Sequence, residues 1–274
     1  MKRLVMWDVD YTLLRGGGVA ARSWRAAFTE LTGVPWRETP IFGGRTDLDI
    51  CAETFATHGV TDCTPERFFA RYTELVLEVR HEFAEQGALM PGVREVLNRL
   101  GDDPGVVQTL VTGNVPAVAR AKVTAFGLDD AFDAEVGGYG TDDSVRADLV
   151  RRSLERAEAK YGERFHPVVI GDTVNDVTAA LANGAVAVAV ATGSTPAADL
   201  IAAGAHTVLP DLSDAEKAIR ALTGLSDAGK TIRGLSDAGK TIRGLSDAGK
   251  TIRGLSDTGK ATRGLRDAAP AENP

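Results

Sequence analysis

Three short segments hold the residues that could do chemistry. WDVDYTLL places Asp8 and Asp10 two residues apart, so on an extended chain both carboxylates project to the same side. Carboxylates that close repel unless a cation or a proton lies between them. VTGNVP offers the Thr112 hydroxyl, the unhindered backbone of Gly113 and the Asn114 amide just ahead of Pro116, a residue suited to opening a helix. Free backbone N–H groups at such a helix start bind anions. VVIGDTVNDV sets Asp172 at the end of an apolar run and Asp176 in the first turn of the following helix. Taken singly, each segment has a plain structural use: a chance acidic pair, a capped turn, and acids that stabilise a helix start.

The elements that must position these residues can be read from the apolar pattern. Continuous apolar runs at 4–10, 106–113, 167–172, 185–192 and 206–212 read as buried parallel strands. Helical patterns alternate with them at 93–100, 145–161 and 177–184, the last capped by Gly184. Strand, helix, strand repetition predicts an α/β fold with a doubly wound parallel sheet, in which ligands bind beyond the carboxyl ends of the strands. All three segments fall at such ends, a coincidence that independent chance matches would rarely produce.

Residues 15–88 break the rhythm with helical periodicity throughout, ending in a long amphipathic stretch from Pro65 to Gln86. There Phe68, Phe69, Tyr72, Leu75, Val76, Val79 and Phe83 recur at three- and four-residue spacing, which reads as helix packing. An all-helical insertion after the first strand is expected. Within it, IFGGRTDLD joins Gly44, where backbone can approach a ligand, to Arg45, which can bind a second anionic group; a turn with a solvated arginine is the plain alternative. The divisions expected are 1–14 and 89–222 as the core, 15–88 as the insertion and 223–274 as a tail.

The tail is a tandem ten-residue repeat, GLSDAGKTIR starting at 224, 234 and 244 and decaying to GLSDTGKATR at 254. Each unit has one Leu and one Ile against two glycines, too little apolar surface to offset the cost of ordering, so disorder or loose order is expected. Gly224, Gly229, Lys230 and Thr231 satisfy a P-loop pattern formally, but no buried strand precedes them and no long helix follows, so nucleotide binding is not expected.

The 274 residues suffice for one substantial domain with an insertion, and 43% apolar and 25% charged residues are ordinary for a globular protein. Residues 223–274 carry nine Lys and Arg against six Asp and Glu, whereas the rest carries 22 against 32. That acidic body argues against a nucleic-acid partner. The opening MKRLVMWDVD fits neither a signal peptide nor a membrane span, so a cytoplasmic protein without a membrane partner is expected. Cys51 and Cys63 match neither a zinc nor a disulfide pattern and read as packing residues.

The order of the three motifs resembles the haloacid dehalogenase superfamily, whose phosphatases carry D-x-D-x-T/V, a hydrophobic strand ending in Ser or Thr, a basic residue, and G-D-x-x-x-D. The resemblance spans about residues 3–215. The helical insertion resembles the smaller cap of phosphoglycolate phosphatase-like members, and IFGGRTDLD the specificity loop of such caps. The resemblance implies Asp8 as nucleophile, Asp10 as general acid and base, and Thr112 with Gly113 and Asn114 as phosphoryl-binding groups. It also implies a Mg2+ ion held by Asp8, Asp10 through its backbone carbonyl, and Asp172, with Asp176 as a further or indirect ligand. The family's basic residue is usually Lys, and no Lys occurs between Lys122 and Lys160. Arg146 is the best positional match. Lys122 is the alternative, expected to point away because it lies about two helical turns past Asn114. The substrate implied is a small phosphorylated metabolite. A sugar phosphomutase keeps the same acids and stays open, as does a non-catalytic protein acting through its repeats. A haloacid dehalogenase would lack Asp10, and a phosphonoacetaldehyde hydrolase would need a cap lysine, absent from residues 3–121. The oligomeric state is left open.

Overall fold

Apolar residues on both faces of LVMW let the first strand sit in the middle of a sheet, and the fold is built outward from it. In this computed structural model, which describes residues 1–224, β1 (Lys2–Trp7) pairs in parallel with strands on both sides. The chain continues through the pair β2 (Leu14–Arg15) and β3 (Ala88–Leu89), between which lie helices α1 (Val19–Thr32), α2 (Asp47–His58), α3 (Pro65–Glu78) and α4 (Glu82–Gln86). There follow α5 (Val93–Gly101), β4 (Val106–Thr112), α6 (Pro116–Ala125), β5 (Gly138–Tyr139), α7 (Arg146–Tyr161), β6 (Phe165–Gly171), α8 (Val174–Ala182), β7 (Val186–Val190), α9 (Ala197–Ala202), β8 (Thr207–Leu209) and α10 (Ala215–Thr223).

The six-stranded sheet runs β5-β4-β1-β6-β7-β8, every pair parallel, so the chain winds first to one side of β1 and then to the other. That is the expected doubly wound sheet, and its switch point lies at the carboxyl end of β1. Two apolar layers clothe it, one around Trp7, Leu97, Leu100 and Leu222 and the other around Met6, Leu149, Val169 and Leu200. Fully burying side chains of this kind contributes about 1.5 to 3 kcal/mol each.

The insertion packs around a third apolar cluster, shared with Val115, Val118 and Ala121 at α6, in which Trp24 makes edge contact with Phe68 at 4.7 Å and Tyr72 at 5.0 Å between ring centroids. Cys51 and Cys63 are free thiols buried in it, as packing residues. The long amphipathic stretch is broken: α3 ends at Glu78 and α4 begins at Glu82. Arg80 Nη1 donates back to the Leu77 carbonyl (2.7 Å), satisfying an end group of α3 where the chain turns. At the other end of the described chain, Gly224, the first residue of the repeats, closes α10 in the left-handed region (φ 65°). The remainder of the repeat tail lies outside the described residues. Among those described, no helix is long and apolar enough to cross a membrane.

Candidate active site

Asp8 directly follows β1, and its carboxylate meets Arg146, the first residue of α7. Arg146 Nη2 donates to Asp8 Oδ1 at 2.6 Å, while its Nε donates to Asp176 Oδ1 at 2.8 Å. A buried cation at a helix N-terminus works against the helix dipole, so the two carboxylates are what hold it there. Asp176 in turn closes a capping box at the start of α8. Thr173 donates to its Oδ2 from the backbone (3.0 Å) and from the hydroxyl (2.6 Å), and that hydroxyl accepts from the Asp176 N–H.

Asp10 has a separate cation. Lys122, only 3% exposed, donates to both oxygens of its carboxylate (2.7 and 2.6 Å) and to Asn114 Oδ1 (2.7 Å). Asn114 completes the ring by donating from Nδ2 to Asp10 Oδ2 and to Thr112 Oγ1, each at 2.8 Å. Thr112, Asn114, Lys122 and Asp10 thus form one hydrogen-bonded network, in which each member fixes the next.

Asp172 follows β6, and its one side-chain partner is a long contact from the Thr12 hydroxyl (3.5 Å). Burial raises the carboxyl pKa of both Asp8 and Asp172, and each is raised further by neighbouring acids, against the opposing pull of Arg146. Carboxylate oxygens of Asp8, Asp172 and Asp176 lie within 4.8 Å of one another around that single guanidinium. Glycines make room for these acids: a Cβ on Gly171 would collide with Asp176, and one on Gly193 with Asp172. Of these, Asp8 and Asp172 turn hard oxygen donors to the cavity, a chemistry that suits Mg2+.

A family profile described as haloacid dehalogenase-like hydrolase matches residues 2–184, more than half of the chain. The chain belongs to this family. Among curated proteins no significant match was found. Solved structures that resemble it include a predicted phosphatase from Clostridium acetobutylicum, at 19% identity and TM-score 0.60, covering 80% of this chain and 98% of that one. CbbY from Rhodobacter sphaeroides, solved with phosphate, follows at 20% identity and TM-score 0.58, with coverage of 78% and 96%. A protein from Bacteroides vulgatus provisionally named a beta-phosphoglucomutase matches at 22% identity and TM-score 0.57, with coverage of 81% and 89%. At these identities the likeness is one of fold.

In this haloacid dehalogenase-like hydrolase, one cavity of about 240 Å³ is lined by Asp8, Asp10, Thr112, Gly113, Asn114, Arg146 and Asp172 from the sheet side. Gly44 and Arg45 reach it from the insertion. Asp176 does not line it and stands behind Arg146. The expectation that Lys122 points away is wrong. Helical side chains lean toward the helix N-terminus, and a four-carbon stem then carries the ammonium back up α6 to Asn114. Arg45, which lines the cavity, also donates from Nε to Asp49 at 2.6 Å and from Nη1 to Glu53, so acids of α2 answer part of its charge.

Two lining residues escaped the sequence reading. Asp47, the first residue of α2, is 6% exposed, and its Oδ2 accepts from the Val115 N–H at 2.8 Å. Tyr72 on α3 is 2% exposed. The signal for Asp47 was its place beside the glycines and Arg45 in IFGGRTDLD. Around it the hydrolase's insertion is stitched to the core, with Asp47 N donating to Gly113 O (2.8 Å), Thr46 Oγ1 to Ser144 O (3.0 Å) and Asn175 Nδ2 to Gly44 O (3.0 Å).

Proposed function

We propose that this hydrolase is a Mg2+-dependent phosphatase of a small phosphorylated metabolite, acting through an aspartyl phosphate on Asp8, with the helical insertion as its cap. The observation that carries the reading is the convergence of Asp8, Asp10 and Asp172 with Arg146 and Lys122 on one small cavity, from separate strand ends and helices. Two buried carboxylates, Asp8 and Asp172, beside a third are costly for a structure and useful for a reaction on a phosphate ester.

Asp8 and Asp172 would hold the metal, with the Asp10 carbonyl as third protein ligand. Asp176, whose oxygens are already engaged by Thr173 and Arg146, would orient the others. When bound, Mg2+ supplies the positive charge that lets an anionic nucleophile approach an anionic phosphoryl group. Arg146 holds the Asp8 carboxylate for in-line attack, forming the Asp8 Oδ–P bond as the ester O–P bond breaks. Asp10, fixed by Lys122 and Asn114, gives its proton to the departing oxygen. In the second step a water attacks phosphorus, Asp10 takes its proton, and the bond to Asp8 breaks to release phosphate. Thr112, with Gly113 and Asn114, would receive the transferring group at the start of α6.

The test is phosphate release from p-nitrophenyl phosphate, abolished by EDTA and restored by Mg2+, together with a phosphorylated Asp8 peptide found by mass spectrometry after acid quench. Release unaffected by EDTA, or a phosphorylated peptide elsewhere, would overturn the reading. The hydrogen bonds that stitch the insertion over the cavity favour a second reading, a phosphomutase, since closure that keeps water out lets the aspartyl phosphate pass to a second hydroxyl. Isomerisation of a sugar phosphate faster than phosphate release would select it.

A further inference from the structure

The cavity wall supplied by the insertion carries charge differently from the sheet side. Much of it is small or apolar, with Gly16, Gly17, Ala20, Phe42 and Ile50 among its residues. Its one cation, Arg45, is held by Asp49 and Glu53, and Lys122 is committed to Asp10 and Asn114. The two buried polar side chains there are Asp47 and Tyr72. Asp47 Oδ1 has no hydrogen-bond partner among the described residues, and neither has the Tyr72 hydroxyl. Both line the cavity that Asp10 also lines, and the Asp47 and Asp10 charges add to burial in raising the Tyr72 phenol well above its ordinary pKa. Both atoms open onto the cavity rather than into packed protein, so a group that enters it strips water from them unless it offers hydrogen bonds in return.

The pair also says what kind of ligand. A carboxylate oxygen accepts, a phenol donates and accepts, and a substrate hydroxyl can satisfy both at once. A second phosphate or a carboxylate would face Asp10 with Lys122 and Arg45 already engaged by other carboxylates. The volume of about 240 Å³ lies below the usual range for drug-sized ligands, leaving room for a small group beyond the phosphate.

We infer that Asp47 and Tyr72 form the leaving-group subsite and take an uncharged, hydroxyl-bearing group, so that the substrate is a polyol or small sugar monophosphate rather than a bisphosphate or a phosphorylated carboxylic acid. This rests on the phosphatase reading. It assigns the reading of the substrate to hydroxyl-binding groups on α2 and α3 rather than to Arg45.

The experiment compares four esters in the presence of Mg2+: glycerol 3-phosphate, propyl phosphate, phosphoglycolate and phosphoethanolamine. The wild-type protein should prefer glycerol 3-phosphate over propyl phosphate by at least about 10-fold in kcat/KM, the discrimination expected of a hydrogen bond to a charged group. Phosphoglycolate should fall below both. In Tyr72→Phe, which keeps the ring, and in Asp47→Asn, which keeps an acceptor for the Val115 N–H, that preference should shrink to within about 3-fold. A preference for phosphoglycolate or phosphoethanolamine, or an unchanged preference in both folded variants, would overturn the inference. Calorimetric binding of the same esters to Asp8→Asn protein reads the subsite without turnover. An absence of p-nitrophenyl phosphate hydrolysis would therefore sink the phosphatase reading alone, while the rank order of binding still decides this one.

Discussion

The sheet side of the cavity and the side built by the insertion handle charge in opposite ways. On the sheet side each of the two leading aspartates meets a cation from another element: Asp8 meets Arg146 across 138 residues of sequence, and Asp10 meets Lys122 across 112. On the insertion side the one arginine of the cavity wall is answered by acids of the helix that follows it, and Asp47 and Tyr72 are left facing the cavity. The first arrangement fixes atoms for a reaction common to many phosphate esters. The second waits for a particular molecule to complete it. Changes on the sheet side should therefore act on every substrate, and changes on the other side on some substrates only.

The largest effect is expected from Asp8→Asn, which removes the carboxylate proposed as nucleophile and should lower kcat by at least about 10⁴-fold on aryl and alkyl phosphates alike. Activity above a tenth of wild type in a pure preparation would take Asp8 out of its role. Asp10→Asn should cost about 10² to 10⁴-fold, as expected for a lost acid–base catalyst. It should cost more on alkyl esters, whose leaving oxygen needs a proton, than on p-nitrophenyl phosphate. Lys122→Met keeps the stem but releases the Asp10 carboxylate, and a loss of about 10 to 100-fold on alkyl esters is expected, with the same bias between ester classes. An equal loss on both classes would assign Lys122 to structure rather than to holding Asp10.

The smallest effect concerns stability and reads the insertion side by itself. Burial, with help from Asp10, raises the Asp47 carboxyl to about 7 from its ordinary 3.8, against the opposing Val115 N–H and Lys122. Between those values the native state keeps a proton that the unfolded chain has lost, so this group destabilises the protein as pH rises from about 4 through about 7. Asn carries no such cost. Urea unfolding should find Asp47→Asn and wild type nearly equal at pH 4, with the variant favoured by about 1 kcal/mol at pH 8, inside the ceiling of about 4 kcal/mol set by the full shift. A gap that does not vary with pH would mean that Asp47 is ionised at little cost.

The same contrast governs what could be read from the sequence. The sheet and its acids were legible because a parallel strand announces itself as an apolar run, and the catalytic candidates sit at the ends of such runs. Lys122 was misread because its position on the helix was judged without the length and backward lean of its stem. Tyr72 was counted among packing residues, correctly for its ring, which contacts Trp24 and Phe68. Its place in the cavity wall is a separate property, which a pattern of apolar spacing cannot reveal. The break after Glu78 carried no signal, since Val79, Arg80 and His81 include neither Gly nor Pro. The repeat tail, the P-loop pattern within it and the expected disorder lie outside the described residues.

The short pair β2 and β3 has a consequence for how such a protein could change over time. Leu14 lies opposite Leu89 and Arg15 opposite Ala88, so the chain leaves the core and returns to it on adjacent strands, about 5 Å apart. To the core, the whole insertion is the loop of a hairpin. The entropy of closing a loop grows only with the logarithm of its length, each doubling costing about 0.6 kcal/mol. A shorter or longer excursion from the same two strands would leave the reacting carboxylates where they are, so one segment could be exchanged as a cassette, altering which molecules are admitted while the reaction is inherited unchanged.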